Sequence, residues 1–308
     1  MTLWTDLTAA VRGSGIRGSG SPDTPTGGPT HRDALHPPAR PTTAARSDAQ
    51  PVATWPGTIV LVLVSAVGMF AFTWPFFADP DSGLAHSGDA PWLFAMLMTL
   101  LGLSVLAEQA TGRLDAKTIA VLGVIAALGG SLRLLSAGTA GLEPVFFLVV
   151  VAGRVLGRRL AFLSGCLILL LGAFLTGGIG PWAPFQMIAT GWVALGAALL
   201  PAVRGRVEIV MLAGYGLFIG LGYGLVMNLW FWPFMGSGAP HGASFLPGAD
   251  PLTNLGRYGV FYVATSLGWD LPRGILTCVL ISVAGPAALA TLRRAVRTAS
   301  FEARGEFR

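Results

Sequence analysis

The fold is decided by residues 144–201, PVFFLVVVAGRVLGRRLAFLSGCLILLLGAFLTGGIGPWAPFQMIATGWVALGAALLP. Three apolar runs follow one another here, at 144–157, 160–177 and 184–201, and only an arginine pair and a Gly/Pro-rich turn separate them. A helix needs about 20 mainly apolar residues to cross a bilayer, and the first of the three runs is shorter than that. Apolar runs spaced so closely predict helices that pack together inside a membrane.

Five more apolar runs flank this stretch. The complete set of predicted spans is 57–78, 91–109, 117–135, 144–157, 160–177, 184–201, 208–233 and 271–292. Of the 308 residues, 53% are hydrophobic and 11% are charged, which leaves too little polar surface for a soluble domain of this size. We therefore predict an all-α integral membrane protein with eight crossings and an aromatic, Gly/Pro-rich loop at 234–269.

The two ends of the chain are predicted to be tails. Residues 1–56 are rich in Gly, Pro, Ser, Thr and Arg and show almost no apolar periodicity, which predicts a disordered segment. Residues 298–308 form a second, short tail after the last span. Both are expected in the cytoplasm.

The basic residues predict the orientation, because cytoplasmic loops of membrane proteins retain Lys and Arg. With eight crossings and a cytoplasmic N terminus, all of the clusters around the spans fall on one side. These are Arg113 and Lys117, Arg158 and Arg159, Arg204 and Arg206, and Arg293, Arg294 and Arg297. We predict a multi-pass protein of the bacterial plasma membrane with both termini inside.

No signature of catalysis or metal binding is visible. The only lysine, Lys117, lies in GRLDAKT and lacks the glycine that precedes it in a phosphate-binding loop. Cys166 and Cys278 both lie inside apolar runs, where a thiol behaves as a small hydrophobe. The net charge of +5 comes from arginines at span ends and not from a basic face with interleaved aromatics, which argues against nucleic-acid binding. We expect no enzyme activity, no metal and no cofactor.

Polar residues gather at the predicted outer ends of the spans. They are Arg133, Glu143, Gln186, Asn228, Asp270 and Arg273. Ionisable groups at this depth usually pair or face a cavity. Taken singly, Asp270 can be a helix cap and Arg273 a snorkelling side chain. Their convergence on one leaflet predicts a ligand site open to the outside.

Aromatic side chains are predicted to line this site. They are Trp182, Tyr223, Trp230, Phe231, Trp232 and Trp269. Small-molecule sites are commonly lined in this way. An aromatic belt at the membrane interface is the alternative, and it applies to Phe231 above all.

Small residues recur at a spacing of four on the third span. One row is Gly123, Ala127 and Ser131, and beside it lie Ala126 and Gly130. Such rows let another helix approach closely. The approaching helix belongs either to another subunit or to this chain, and a similar row on the seventh span, Gly216, Gly220 and Gly224, shows that the chain uses the device more than once.

The stretch 127–201 resembles the membrane-embedded substrate-binding subunit, the S component, of energy-coupling factor (ECF) vitamin transporters. The resemblance extends over 117–297 and rests on the number of helices, the short second helix, the turn GIGPWAPFQM at 178–187 and the D-x-x-R start of the last helix at Asp270 and Arg273. It implies a six-helix, substrate-binding S-component-like core at 117–297. Two extra transmembrane helices at 57–110 precede this core and depart from the minimal family.

The resemblance also implies a function. Such a subunit captures a vitamin from the outer face and releases it inward when docked on a transmembrane coupling subunit, the T component, which carries two cytoplasmic ATPases. The family docks through small residues on its first core helix, matched here by Ala126 and Gly130 and flanked by Gly123, Ala127 and Ser131; a glycine replaces one of the usual alanines. The GPW and EPVFF segments look most similar to the cobalamin branch.

Other interpretations remain open at this point. Riboflavin, another vitamin or a precursor would serve equally as the ligand. A structural or regulatory membrane protein would use the small-residue rows only to hold partners. A membrane enzyme would need Glu143, Asp270 or His241 to face each other in a closed cleft.

Overall fold

The computed structural model describes residues 55–73, 76–77, 90–112, 114–136, 140–235 and 238–302, with the backbone alone at 90–93 and 299–302. The α-helices are α1 (Trp55–Thr73), α2 (Ala90–Ala110), α3 (Ala116–Leu134), α4 (Val145–Leu156), α5 (Arg158–Thr176), α6 (Ala183–Leu199), α7 (Arg206–Phe231), α8 (Pro251–Thr265) and α9 (Leu267–Glu302). No β-strand occurs in these ranges. The tail predicted at 1–56 lies outside the described residues up to position 54.

Five helices, α1, α3, α5, α7 and α9, are long and apolar enough to cross a membrane. The described part of α2, and α4 and α6, are apolar but shorter. Helix α4 has 12 residues, which span about 18 Å of a hydrocarbon layer about 30 Å thick. The all-α prediction is confirmed for the described residues, and five of their helices have the length and apolar character of a multi-pass membrane protein, whereas the predicted eight crossings are not confirmed. A full crossing of the membrane by α4 alone is not confirmed, because a helix of 12 residues is too short to span the hydrocarbon layer.

Helices α7 and α9 pack antiparallel through glycines. A methyl group added at Gly220 would overlap the backbone of Gly274, and one at Gly216 would stand 2.8 Å from the Thr277 side chain. Farther along the pair, Gly285 faces Ile209. The glycine row of the seventh span therefore serves contact within the chain.

The remaining core helices also meet at small residues. Gly129 on α3 packs against Ile168 on α5, and a methyl group at Gly165 on α5 would stand 2.5 Å from the Thr190 carbonyl oxygen on α6. Helix α4 lies at the centre, since a methyl group at Gly153 would overlap Ala194. The buried valines of α4 complete this core.

The two N-terminal helices pack against the same core. The Trp192 indole N–H of α6 donates to the Ser65 hydroxyl of α1 at 3.1 Å. The rings of Phe72 on α1 and Phe185 on α6 meet edge to face, with centroids 5.2 Å apart. Helix α1 is therefore joined to the bundle by side-chain contacts along its length.

The N terminus of helix α3 is capped by Asp115, which lies just before the apolar helix Ala116–Leu134. Asp115 accepts a hydrogen bond from the backbone N–H of Thr118 at 2.8 Å. Hydrogen bonds from the Thr118 side chain and backbone lower the pKa of the Asp115 carboxyl below its ordinary value. The cap therefore stays ionised at neutral pH.

The predicted loop at 234–269 is wrong in part, because it contains α8. Asp250 caps this helix, accepting hydrogen bonds from the N–H groups of Leu252 and Thr253, and Pro251 is its first residue. The buried residues Asn254, Tyr258 and Phe261 lie at helical spacing. Asp250 and Pro251 are signals for a helix start that are present in the sequence. The glycines and aromatic residues of 234–269 favoured the prediction of a loop instead.

The last helix is longer than predicted at both ends. It starts at Leu267 instead of 271 and runs over 36 residues to Glu302. The predicted C-terminal tail at 298–308 therefore begins inside a helix. Residues beyond 302 lie outside the described part of the chain.

Candidate functional site

An ion cluster lies where α4, α7 and α9 meet. The Arg273 guanidinium of α9 donates to Glu143 Oε1, just before α4, with Nη2 at 2.7 Å and Nε at 3.2 Å. Its Nη1 donates to Asp270 Oδ1 and to the Gly220 carbonyl oxygen, the latter at 3.3 Å. One cation thus holds two carboxylates and a backbone carbonyl from three parts of the chain.

Two aromatic rings lie against this cluster. The guanidinium of Arg273 lies 5.3 Å from the ring centre of Tyr223 and 5.4 Å from that of Phe146, within cation–π range. Arg133, at the end of α3, packs its side chain over Gly172 of α5. The structure therefore brings together four of the predicted site residues: Glu143, Tyr223, Asp270 and Arg273.

The members of the cluster differ in access. Asp270 is 2% exposed and Arg273 is 7% exposed, whereas the Glu143 side chain is 25% exposed. A methyl group at residue 224 would overlap the Asp270 carboxylate, so Asp270 fits only because α7 carries a glycine there. Asp270 and Arg273 thus form a packed structural pair, and Glu143 is the member that a ligand can reach.

A partly exposed aromatic layer lies at the same end of the bundle. The Trp230 ring on α7 contacts four neighbours at centroid distances between 5.7 and 6.3 Å: Trp182, Phe185, Phe231 and Phe234. Trp182 is 38% exposed and donates its indole N–H to the Gly178 carbonyl oxygen at 3.1 Å. We call these five rings the aromatic layer. It offers apolar, flat surface next to the helix ends.

Two predicted amide residues lie near this layer in sequence and differ in their partners. Gln186, one turn after Trp182 on α6, has a buried side-chain oxygen with no hydrogen-bond partner among the described residues. Asn228 donates to the Ser266 hydroxyl at 2.6 Å and so links α7 to the α8–α9 junction. The Gln186 side-chain oxygen can therefore still accept a hydrogen bond, whereas the Asn228 amide is used in a hydrogen bond between elements of the fold.

Two predicted tryptophans lie apart from the rest. Trp232 is fully buried in a small second core with Tyr258 and Phe261 of α8, and its indole N–H donates to the Ala243 carbonyl oxygen at 2.6 Å. Trp269 is exposed, and its backbone lies against Gly141. Neither side chain belongs to the ion cluster or to the aromatic layer.

The opposite end of the bundle carries ion pairs that the sequence prediction missed. Glu208 on α7 is 2% exposed and accepts from Arg154 at 2.7 Å and from Arg293 at 2.6 Å. Arg154 also donates to the carbonyl oxygens of Leu200, Pro201 and Val203. The signal was an arginine inside the apolar run of α4, since an ionisable group in a span calls for a partner.

A second ion pair joins the N-terminal helices to the core at this end. Arg159 of α5 lies 3.2 Å from Glu108 of α2, and both side chains are buried. A methyl group at Gly57 on α1 would overlap both partners. Positions 273 and 293 lie 20 residues apart on α9, about 30 Å, so the charged clusters are separated by about the thickness of the hydrocarbon layer.

The small residues of α3 divide between two faces. Ala126 and Gly130 are buried, and a methyl group at Gly130 would stand 3.2 Å from the Gly172 nitrogen on α5. Gly123, Ala127 and Ser131 are exposed and follow one another along the outside of the helix. The exposed row is therefore open to another subunit.

Comparison of the chain with protein-family models, with curated proteins and with solved structures finds no match. Within the described residues, no three His, Cys, Asp or Glu side chains are grouped so that they could hold a metal ion. What the chain does therefore has to be inferred from its own geometry.

Proposed function

We propose that the chain is the substrate-binding S component of an ECF-type vitamin transporter in a bacterial plasma membrane. In this proposal α3–α7 and α9 form the six-helix core, α1 and α2 are accessory helices, and both termini are cytoplasmic. The end with the aromatic layer then faces outward. The opposite end, with Lys117, Arg158 and Arg206, faces the cytoplasm, as the distribution of basic residues favours.

The observation that carries the proposal is the aromatic layer at the end of the bundle that also holds Glu143. Trp182, Phe231 and Phe234 are partly exposed, Trp230 lies between them, and Gln186 has a buried acceptor oxygen. Flat apolar surface with a few polar acceptors suits a ring-bearing nutrient that also carries hydrogen-bond donors. Cobalamin is the leading candidate because it matches the branch that the sequence resembles, and riboflavin or a precursor is the alternative.

Trp230→Ala is expected to raise the Kd for the vitamin about 10- to 30-fold, because truncating a central aromatic contact costs about 2 kcal/mol. Isothermal titration of the purified protein in nanodiscs, without nucleotide, against cobalamin and riboflavin would measure this. Trp55→Ala is the matched control, since Trp55 is 65% exposed and begins α1 at the other end of the bundle. Equal Kd values for both variants and the unaltered protein would contradict the proposed site.

The proposed partners are the T component and its two ATPases. We propose that the exposed row Gly123, Ala127 and Ser131 docks on the T component, because it is the small-residue face of α3 that α5 leaves uncovered. Of the two residues that match the family row best, Gly130 packs against α5 and Ala126 is buried. The proposed docking face of α3 is therefore centred on Ala127, one position after Ala126, the residue that the family resemblance points to.

Gly123→Leu is expected to abolish co-purification with the T component and to leave vitamin binding unchanged, since no neighbouring helix among the described residues comes within 4 Å of a methyl group placed at Gly123. Affinity purification of the co-expressed complex would measure it. Val124→Leu is the control, because Val124 is already a large exposed side chain on the neighbouring position. Normal complex formation by Gly123→Leu would exclude this row as the docking face. A different, non-transporter protein recovered on it would favour a structural or regulatory role.

A further inference from the structure

A groove of about 580 Å³ runs between α7 and α9 at the basic end of the bundle. Arg206 and Arg293 line its mouth together with Glu208. Apart from Ser282 and Gly205, its walls are apolar side chains and a helix-interior proline: Ile209, Val210, Pro286, Leu289 and Ala290. The groove therefore has one charged end and a hydrophobic body.

The charge at the mouth is positive. The single carboxylate, Glu208, is bonded to both Arg154 and Arg293, so three arginines including Arg206 stand against one glutamate. Arg206 is exposed and makes no ion pair within the described part of the chain. Arg293 uses Nη2 for Glu208, and a guanidinium has five N–H donors in all. The mouth thus presents donors and net positive charge to an anion.

The wall of the groove on α9 is about as long as one leaflet of a bilayer is thick. Its lining on α9 extends from Arg293 to Ser282, which is 11 residues or about 16 Å along the helix. Half of a hydrocarbon layer about 30 Å thick is about 15 Å. With the arginines at the interface, the body of the groove lies at the depth of the acyl chains of that leaflet.

We propose that this groove binds one anionic phospholipid, with its phosphate at Arg206 and Arg293 and an acyl chain between α7 and α9. Basic mouths between membrane helices are suited to acidic headgroups, and the apolar walls exclude a free ion from the body of the site. The site is distinct from the aromatic layer. It does not depend on the proposed transport function, because it needs only that the chain spans a bilayer.

Arg206→Gln is expected to lower phosphatidylglycerol retention about fivefold. The full-length protein would be equilibrated with vesicles of phosphatidylcholine, with or without phosphatidylglycerol, extracted, and its bound lipid counted by native mass spectrometry. Arg204→Gln is the matched control, since Arg204 is exposed two residues earlier and does not line the groove. Equal retention by the two variants, or equal retention of the two lipids by the unaltered protein, would overturn the proposal.

A second pair of variants tests the acyl-chain part of the site. Ala290→Phe fills the groove and is expected to abolish retention, whereas Ala287→Phe, exposed on α9 outside the groove, is expected to keep it. Excess inorganic phosphate should leave the lipid in place. Displacement by phosphate together with normal retention in Ala290→Phe would show a simple phosphate site and overturn the lipid assignment.

Discussion

Arg273→Gln is expected to lower the free energy of unfolding by about 3–5 kcal/mol, the largest effect that we predict for any polar substitution. The change leaves Glu143 and Asp270 without the cation that neutralises both of them, and Asp270 is almost fully buried. It also removes the guanidinium from the Tyr223 and Phe146 rings. Reversible unfolding in mixed micelles would measure the loss.

Arg294→Gln on the same helix is the control for this experiment. Arg294 is exposed at the far end of α9, so its loss should change stability by less than about 0.5 kcal/mol. Adding Glu143→Gln to Arg273→Gln should recover part of the stability, because it removes one of the unmatched charges. If Arg273→Gln and Arg294→Gln unfold alike, the ion cluster has no structural role.

Gly220→Val is expected to cost about 3 kcal/mol or more in stability. The added side chain meets the backbone of Gly274 and of Arg273, which cannot move aside as a flexible side chain can. Separation of α7 from α9 would also withdraw the Gly220 carbonyl from Arg273. The same unfolding assay would report the loss.

Gly214→Val on the same helix isolates the packing effect. Among the described residues, no atom from outside the backbone of its own helix lies within 4 Å of a methyl group placed at Gly214, so this variant makes the same chemical change without a clash. It should unfold close to the unaltered protein. Equal losses for the two variants would mean that α7 and α9 do not pack as closely as described.

The helices of the core were predictable because their apolar runs end at clear signals. The predicted ends of α2 to α7 lie within two residues of the observed ones. Arginine pairs, glycines and prolines interrupt hydrophobicity at each turn, and the bilayer demands a minimum length. Helix α8 was missed because the glycines and aromatic residues of 234–269 favoured a loop, although Asp250 and Pro251 signal the start of a helix.

The composition of the site was less predictable, because a residue's place along a helix does not fix the side it faces. Trp230 and Trp232 are two positions apart, about 200° around the helix, and they lie in different clusters. In the same way Ala126 is buried while Ala127 is exposed. The sequence predicts at which end of the bundle a residue lies. The side of the helix on which its side chain lies depends on which neighbouring helix packs there.

Two arginines within the apolar runs of this chain, Arg154 and Arg273, are paired with carboxylates. Arg273 was singled out as one of the polar residues at the predicted outer ends of the spans, and it has two carboxylate partners. Arg154 stands in an apolar run as well, and its partner Glu208 lies 54 residues away in the sequence. Such partners become visible only when the packing of α4 against α7 is known.

The central claim is that the end of the bundle with the aromatic layer holds a vitamin. Its most direct test is to purify the protein from cells supplied with cobalamin and other vitamins, denature it, and quantify the released small molecules by mass spectrometry. We predict one vitamin in near-equimolar amount from the unaltered protein and from Trp55→Ala, and little from Trp230→Ala. The absence of any vitamin from all three preparations, each of them folded, would contradict the account.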